Sequence, residues 1–371
     1  WFESIHQLLE KTIMKIPKYT LTNLMLNYIV KYEIAITDIK YNPIPEKYKT
    51  SIKERLSAED IQSLGELVSY PIGYNKALTI QRGQEMPSEK KKLKLFTNFR
   101  NAKDFINSYN DTNSLKPSME LAVHINRLIT KDIADDTEVG RLRTFSEKPN
   151  EIYDTWYKCR DFYPNLDPVM YFNEIFEWIQ NGRDTNHKLI KTGVLLYEFM
   201  DKAPFTMGNQ ITAILTAEII TKKYGYNPEN MFPMFKSINN ISEDFVSAFG
   251  LSKGRLDLTM FLEAFLYTIS KTSLEVSNEI KDTYIKKVKK QGDLELHLNP
   301  RQIKIIDYLT INQKITRSDL TKMMGVSFMT SYRDLQDMLE KKYILQKGRG
   351  RGTFYVLNTN AKNDKGDIFV E

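Results

Sequence analysis

The stretch His187-Lys-Leu-Ile-Lys-Thr-Gly-Val-Leu-Leu-Tyr-Glu-Phe-Met-Asp-Lys-Ala-Pro-Phe-Thr-Met-Gly-Asn-Gln-Ile-Thr-Ala-Ile214 decides how this chain is read. An amphipathic helix ends near Lys202, the short loop Ala203-Pro-Phe-Thr-Met-Gly208 follows, and a second, hydrophobic helix begins at about Asn209. A Gly-Asn pair at a helix start exposes backbone N–H groups beside the positive end of the helix dipole, where an anion can sit. The same pair serves equally as a plain turn between helices. The pattern alone leaves both readings open.

Helical spacing continues on both sides. Leu8, Leu9, Ile13 and Ile16 recur with it, as do Leu24, Met25, Tyr28, Ile29 and Tyr32. Tyr41-Asn-Pro-Ile-Pro45 breaks the pattern, because neither proline continues a helix easily. After Pro87, with Ser88 as cap, a helix is expected through Leu95, Phe99, Ala102 and Phe105. Further helices are expected near 117–132, 168–181, 187–202, 209–224 and 257–290. The irregular stretch 135–165 holds an expected short hairpin around Val139-Gly-Arg-Leu-Arg-Thr144. The aromatic run from Trp156 and Tyr157 through Phe172, Phe176 and Trp178 reads as packing rather than as a base-stacking surface. The body is mainly α.

After Lys286-Lys-Val-Lys-Lys-Gln-Gly292 the character changes. Three helical segments precede two extended ones, Tyr343–Gln346 and Thr353–Leu357, joined by Lys347-Gly-Arg-Gly-Arg-Gly352. That order describes a winged helix-turn-helix, with Thr316 and Ser327 as caps and Gly325 as the turn. Ser327, Thr330, Ser331 and Arg333 stand near the start of the third helix, where a recognition helix meets base edges and phosphates. Lys347, Arg349 and Arg351 lie between glycines on the ribbon, a shape suited to a phosphate backbone. Such modules also dock proteins, and both partners stay open at this point. Residues 301–360 carry eleven Lys/Arg against five acids, a surplus equal to the whole chain's net charge of +6, so the remainder is balanced.

Composition excludes several classes. At 371 residues, 41% hydrophobic and 27% charged, with 16 Gly and 13 Pro, the chain is neither collagen-like nor wholly disordered. It has no apolar run long enough to span a bilayer, so no membrane role is expected. It opens on Trp1 rather than Met and is read as trimmed at its start. One cysteine, Cys159, points to a reducing, cytoplasmic setting, and four scattered histidines offer no metal-ligand spacing, so no metal site is expected.

The opening stretch resembles the core of the Fic (Fic/Doc) family, whose motif reads H-P-F-x-[D/E]-G-N-G-R-x-x-R after a helix like H-P-L-I-K-A-A-I-A-H-Y-E-F. His187-Lys-Leu-Ile-Lys191 meets the start of that helix and Tyr197-Glu-Phe199 its end, without a gap. Pro204, Phe205, Gly208 and Asn209 fall on the motif's P, F, G and N. Gly140, Arg141 and Arg143 resemble the family's target-binding flap, Asp257–Leu266 its later core helix, and Leu298–Gln302 with Thr330–Leu335 its C-terminal winged helix. The resemblance implies a helical N-terminal extension (1–74), a Fic-like core with a small β-hairpin flap (75–292), a winged-helix domain (293–360) and a tail (361–371).

Fic enzymes move a nucleotidyl group, usually AMP from ATP, onto a hydroxyl side chain. Here Ala203 takes the position of the motif's general base, Met207 that of its Mg²⁺ carboxylate, Gln210 that of its second glycine, and Ile211 and Ile214 those of its phosphate arginines. Losing a general base typically removes about 10²–10⁴-fold of rate, and the other losses remove charge stabilisation. In the region of the family's inhibitory helix, Gln81 and Arg82 stand where a glutamate is expected. The chain is therefore expected to be a regulator or scaffold that binds DNA through Ser327, Thr330, Ser331, Arg333, Lys347, Arg349 and Arg351. Two alternatives remain: an altered nucleotidyltransferase holding ATP and Mg²⁺ at Thr206, Gly208, Asn209 and Gln210, and a protein-interaction module working through the flap, with a homodimer among the expected partners.

Overall fold

Two helices without a polar face set the plan of the body. The computed structural model of the chain describes residues 17–41, 46–84, 91–109, 116–144, 147–150, 167–181, 183, 185–255, 257–295, 298–312, 314–358, 362–363 and 366–367. The first compact unit covers residues 1–281. Its described elements are α1 (Asn23–Tyr41), α2 (Glu46–Leu67), α3 (Tyr74–Gln81), α4 (Lys91–Asn107), α5 (Met119–Thr130), α6 (Pro168–Gln180), α7 (Lys188–Lys202), α8 (Asn209–Lys223), a 3-10 turn at Pro228–Asn230, α9 (Met234–Asn239), α10 (Ser242–Arg255) and α11 (Thr259–Glu295), within which the boundary to the second unit falls.

Every residue of α8 from Asn209 to Lys222 is buried, and α7 buries Leu189 to Asp201. A helix apolar all round must be surrounded by others. Accordingly α7, α5 and α9 pack on α8, and α6 packs on α7. Phe172 and Phe176 of α6 meet Phe199 of α7 with ring centroids 4.3 and 6.5 Å apart. Gly193 makes room for α11, because a β-carbon there would stand 2.7 Å from Leu262 and 2.9 Å from Phe265. Local signals start the helices. The Ser118 hydroxyl accepts from Leu121 N–H, and Asp167 accepts from the N–H groups of Val169 and Met170 with Pro168 in the first turn. The helices expected near 117–132, 168–181, 187–202, 209–224 and 257–290 all form. Ser88, Trp156, Tyr157 and Cys159 lie outside the described residues.

A buried ion cluster ties α2, α4 and α8 together. Lys103 Nζ lies 2.8 Å from Asp60 Oδ2 and 2.7 Å from both oxygens of Glu218. Asp60 and Glu218 are each 1% exposed. Burial pushes both carboxyls up, and Lys103 pulls them back; burial pushes Lys103 down, and the two carboxylates outweigh it. Asp60 Oδ1 also accepts from Lys236 N–H at 3.1 Å, on α9.

The second unit covers residues 282–371. It contains α12 (Pro300–Asn312), α13 (Arg317–Met324), α14 (Phe328–Glu340), β1 (Ile344–Lys347) and β2 (Phe354–Leu357), then a two-residue ladder, β3 (Lys362–Asn363) with β4 (Gly366–Asp367). β1 and β2 pair antiparallel from Ile344↔Leu357 to Lys347↔Phe354, and Ile315 bridges Tyr355 beside them. Thr316 and Asp319 form a reciprocal capping box, Ser327 caps α14, and Gly325 turns between α13 and α14 at φ 62°. Ile305, Leu309, Ile315, Leu320, Leu335, Met338 and Tyr355 make its core. Three helices thus precede a two-stranded antiparallel ribbon.

Replacing Lys103 by Met leaves Asp60 and Glu218 facing each other without a cation. Lys103→Met is expected to cost about 3–5 kcal/mol, measured by denaturant unfolding. A triple replacement by apolar residues at 60, 103 and 218 is expected to recover most of that loss.

Candidate functional site

The loop between α7 and α8 is tied down from three directions. α7 ends on Ala203, which is left-handed (φ 44°, ψ 68°), with its N–H reaching Phe199 O at 2.9 Å. That conformation costs a residue with a β-carbon roughly 1–2 kcal/mol, so its surroundings must hold it. Arg143, 3% exposed, donates Nε to Ala203 O at 2.6 Å, Nη2 to Lys202 O at 2.7 Å and Nη1 to Glu147 O at 2.7 Å. A guanidinium suits the end of a helix, where carbonyls lack intrahelical donors and the dipole is negative.

Asn209 closes the loop on itself. Its Oδ1 accepts from Phe205 N–H at 2.8 Å, and its Nδ2 donates to Phe205 O at 2.9 Å. Gly208 enters α8 left-handed at φ 73°, the backbone conformation that favours glycine. From α5, Asn126 donates Nδ2 to Met207 O at 2.9 Å and to Thr212 Oγ1 at 3.0 Å.

The flap supplies the third direction. Arg143 N–H donates to Pro204 O at 2.9 Å, Thr206 N–H to Arg141 O at 3.1 Å, and Asn150 N–H to Thr206 O at 2.6 Å. Leu142 bridges Phe205 antiparallel and Asn150 bridges Met207 parallel. Among the described residues of the expected flap, Arg141 to Arg143 and Asn150 pair with residues 204–207, and residues 145–146 and 151–166 lie outside the described residues. A buried extended segment needs partners for its N–H and C=O groups, and the flap provides them. Arg141 is gripped by Glu138 and Glu147, with four contacts between 2.9 and 3.0 Å. Arg141, with the Thr144 N–H, pulls the Glu147 carboxyl down to about 2. Gly140 turns at φ 69° next to Arg127. Both flap arginines are thus committed to the chain's own groups.

The positions that would carry chemistry are sealed. Ala203 and Asn209 are fully buried, Gln210, Ile211 and Ile214 are each 1% exposed, and Thr206 and Met207 are buried as well. Thr206, Gly208, Asn209 and Gln210 lie at the start of α8, near neighbours in the sequence. Mg²⁺ would meet the thioether of Met207, and among the described residues no group of three or more His, Cys, Asp or Glu is arranged to hold a metal. This donor set does not fit a hard cation. On α7, burial raises the Glu198 carboxyl, which Lys202 and the Tyr171 hydroxyl at 2.6 Å partly offset, and Asp201 pairs with Lys202 at 2.7 Å. His187 is the N-cap of α7, accepting from Leu189 N–H at 3.2 Å; burial lowers its pKa and Glu33 partly restores it. Arg82 forks onto Glu54 at 2.7 and 3.1 Å.

In the second unit, Ser327, Arg333, Lys347 and Arg349 are exposed, and Thr330 is partly so. Ser331, expected on the reading face, is instead fully buried, with its hydroxyl 3.2 Å from Thr321 Oγ1. Its place on α14, three residues before Asp334 and four before Leu335, turns it inward. The Arg351 side chain lies outside the described residues. The two sequence fragments linked by resemblance meet here, with Arg301 on Asp334 at 2.7 Å and Gln302 on Asp337 at 2.6 Å.

Asn126 and Asn150 escaped the sequence reading. Asn126 acts 81 residues away from Met207, and no spacing pattern announces a single amide.

This fold is that of Fic proteins. A Fic family protein from Desulfovibrio desulfuricans G20 superposes with a TM-score of 0.58 at 16% identity, over 94% of this chain and 99% of that one. A Fic domain-containing signaling protein from Bacteroides thetaiotaomicron VPI-5482 gives 0.52 at 13% identity, over 71% and 98%. Fic-1 (residues 134–508) from C. elegans gives 0.51 at 15% identity, over 72% of each chain. No family model and no curated protein matches the sequence.

Arg143→Met is expected to lower stability by about 3 kcal/mol in denaturant unfolding, because buried carbonyls lose a charged donor; an arginine held for a peptide partner would leave stability unchanged. With its folded value below the free 4.5, Glu147 contributes fully above that pH and loses its contribution as pH falls toward about 2. Hydrogen exchange at Thr206 and Arg143 should therefore stay slow from neutral pH down to that range, whereas Glu147→Gln should speed it already at neutral pH.

Proposed function

We propose that this chain is a Fic-like protein without AMP transferase activity by the family's usual route. It works in the cytoplasm as a regulator or scaffold, and its winged helix binds DNA. The observation that carries the first part is the sealed loop. Where the resemblance calls for a base, a metal carboxylate and two phosphate arginines, the chain has Ala203, Met207, Ile211 and Ile214, all buried. Backbone groups from Lys202 to Met207 bond to Arg143, Asn126, Asn209 and the flap. Among the described residues near the loop, no side chain replaces all four of these roles.

Two measurements on the purified chain test this part: thermal unfolding with ATP and other nucleotides, with and without Mg²⁺, and transfer of label from labelled ATP. The expected result is no label transfer. A nucleotide present at a hundredfold over its Kd would stabilise the protein by about 2.7 kcal/mol, and such a shift would identify a sensor. Mg²⁺-dependent label transfer to protein would overturn the proposal in favour of an altered nucleotidyltransferase.

Support for DNA binding comes from the charge surplus of residues 301–360 and from the exposure of Arg333, Lys347 and Arg349. Arg301 is occupied by Asp334 and does not count among them. Binding should weaken steeply with salt, because each neutralised phosphate releases counterions. Charge reversal at Lys347, Arg349 and Arg351 is expected to abolish it in fluorescence anisotropy titrations. Unchanged binding would remove the ribbon from the interface.

A further inference from the structure

The recognition helix of the second unit presents an apolar tip. The outward face of α14 carries Phe328, Met329, Tyr332 and Arg333, since the inward face is taken by Ser331, Asp334, Leu335 and Met338. Phe328 is 58% exposed, Met329 59% and Tyr332 37%. Met323, at the end of α13, is exposed beside the turn that leads into α14. One exposed apolar side chain is ordinary, but three within one and a half turns are a feature. The tip is also held in shape. The Arg317 guanidinium lies 4.6 Å from the Tyr332 ring centre and 5.8 Å from that of Phe328, and its Nε donates to the Tyr355 hydroxyl at 3.1 Å.

Charge identifies the occupant. Lys322, Arg333, Lys347 and Arg349 are exposed on the helices and ribbon of this unit. The acid at the start of α13, Asp319, is engaged in the capping box with Thr316. An apolar tip on a basic module suits a polyanion that also offers apolar groups at its edges. Duplex DNA is such a partner, because the thymine C5-methyl is the apolar group that its major groove displays. The first residues of a recognition helix are those that reach base edges, and Phe328 and Met329 are the first two residues of α14.

Resting on the DNA reading above, we infer that Phe328 and Met329 read thymine methyl groups, so that the winged helix prefers duplexes rich in thymine in the major groove. Arg333, Lys347 and Arg349 hold the phosphates, and the apolar pair selects the bases. Tyr332 and Arg317 position the pair from behind.

Replacing thymine by uracil in the DNA removes only the methyl. Full-length protein is titrated by fluorescence anisotropy against short alternating dA-dT duplexes, the same duplexes with uracil for thymine, and alternating dG-dC duplexes. Each methyl buried against Phe328 or Met329 should contribute about fourfold in affinity. The thymine duplex should therefore bind roughly fifteenfold tighter than the uracil duplex when two methyls are read. The double variant Phe328→Ala, Met329→Ala should bring that ratio to one without changing the slope of affinity against salt. Lys347→Glu should do the reverse, lowering the slope and keeping the ratio. Equal binding of thymine and uracil duplexes by the wild-type protein overturns the methyl readout while leaving DNA binding in place. No salt-sensitive binding of any duplex overturns the DNA reading itself. The wild-type comparison needs no variant to fold.

Discussion

A buried loop must have every backbone polar group partnered, and that requirement organises the centre of this protein. The segment from Ala203 to Asn209 connects two helices that are buried on every side, so it does not run across the surface. Arg143 takes the carbonyls that end α7, Asn209 takes both polar groups of Phe205, Asn126 takes Met207 O, and the flap takes Pro204 and Thr206. The left-handed Ala203 is tolerated because these bonds leave it no alternative.

This explains which motif residues the loop needs. Gly208 supplies a positive φ, Asn209 locks the turn, and Phe205 is fully buried. Each has a mechanical duty in the fold. Ala203, Met207, Ile211 and Ile214, which the resemblance aligns with a base, a metal ligand and two phosphate arginines, are buried apolar residues here. At α8 the substitutions extend the apolar surface, which is compatible with a helix enclosed by α5, α7 and α9. Packing and backbone hydrogen bonds hold this loop.

The second unit shows a different division of labour. Its fold rests on a small apolar core and on local signals: the capping box of Thr316 and Asp319, the left-handed Gly325 and the Ser327 cap. The Arg301–Asp334 and Gln302–Asp337 contacts join the start of α12 to α14. These contacts consume polar groups that would otherwise be counted as a binding surface. What remains exposed on α14 is apolar at its tip, with Arg333 beside it and Glu340 at its end.

Period and punctuation make the helices legible in the amino-acid sequence. The apolar recurrence of 187–202 and 209–224, the turn at Gly208, the caps at Thr316 and Ser327 and the two ribbon segments all depend on residues within a few positions of each other. The retained Pro204, Phe205, Gly208 and Asn209 likewise point to the fold. Long-range bonding is what the sequence does not disclose. Arg143 reads as a flap arginine, and only its burial against Lys202 and Ala203 makes it a helix cap. Ser331 reads as a base contact, and only the packing of α14 on α13 turns it inward. Leu142 also pairs with Phe205, some sixty residues further along the chain, where backbone groups needed partners. Local spacing fixes which elements form; tertiary packing decides where each polar group finds its partner, because that partner is set by proximity in space.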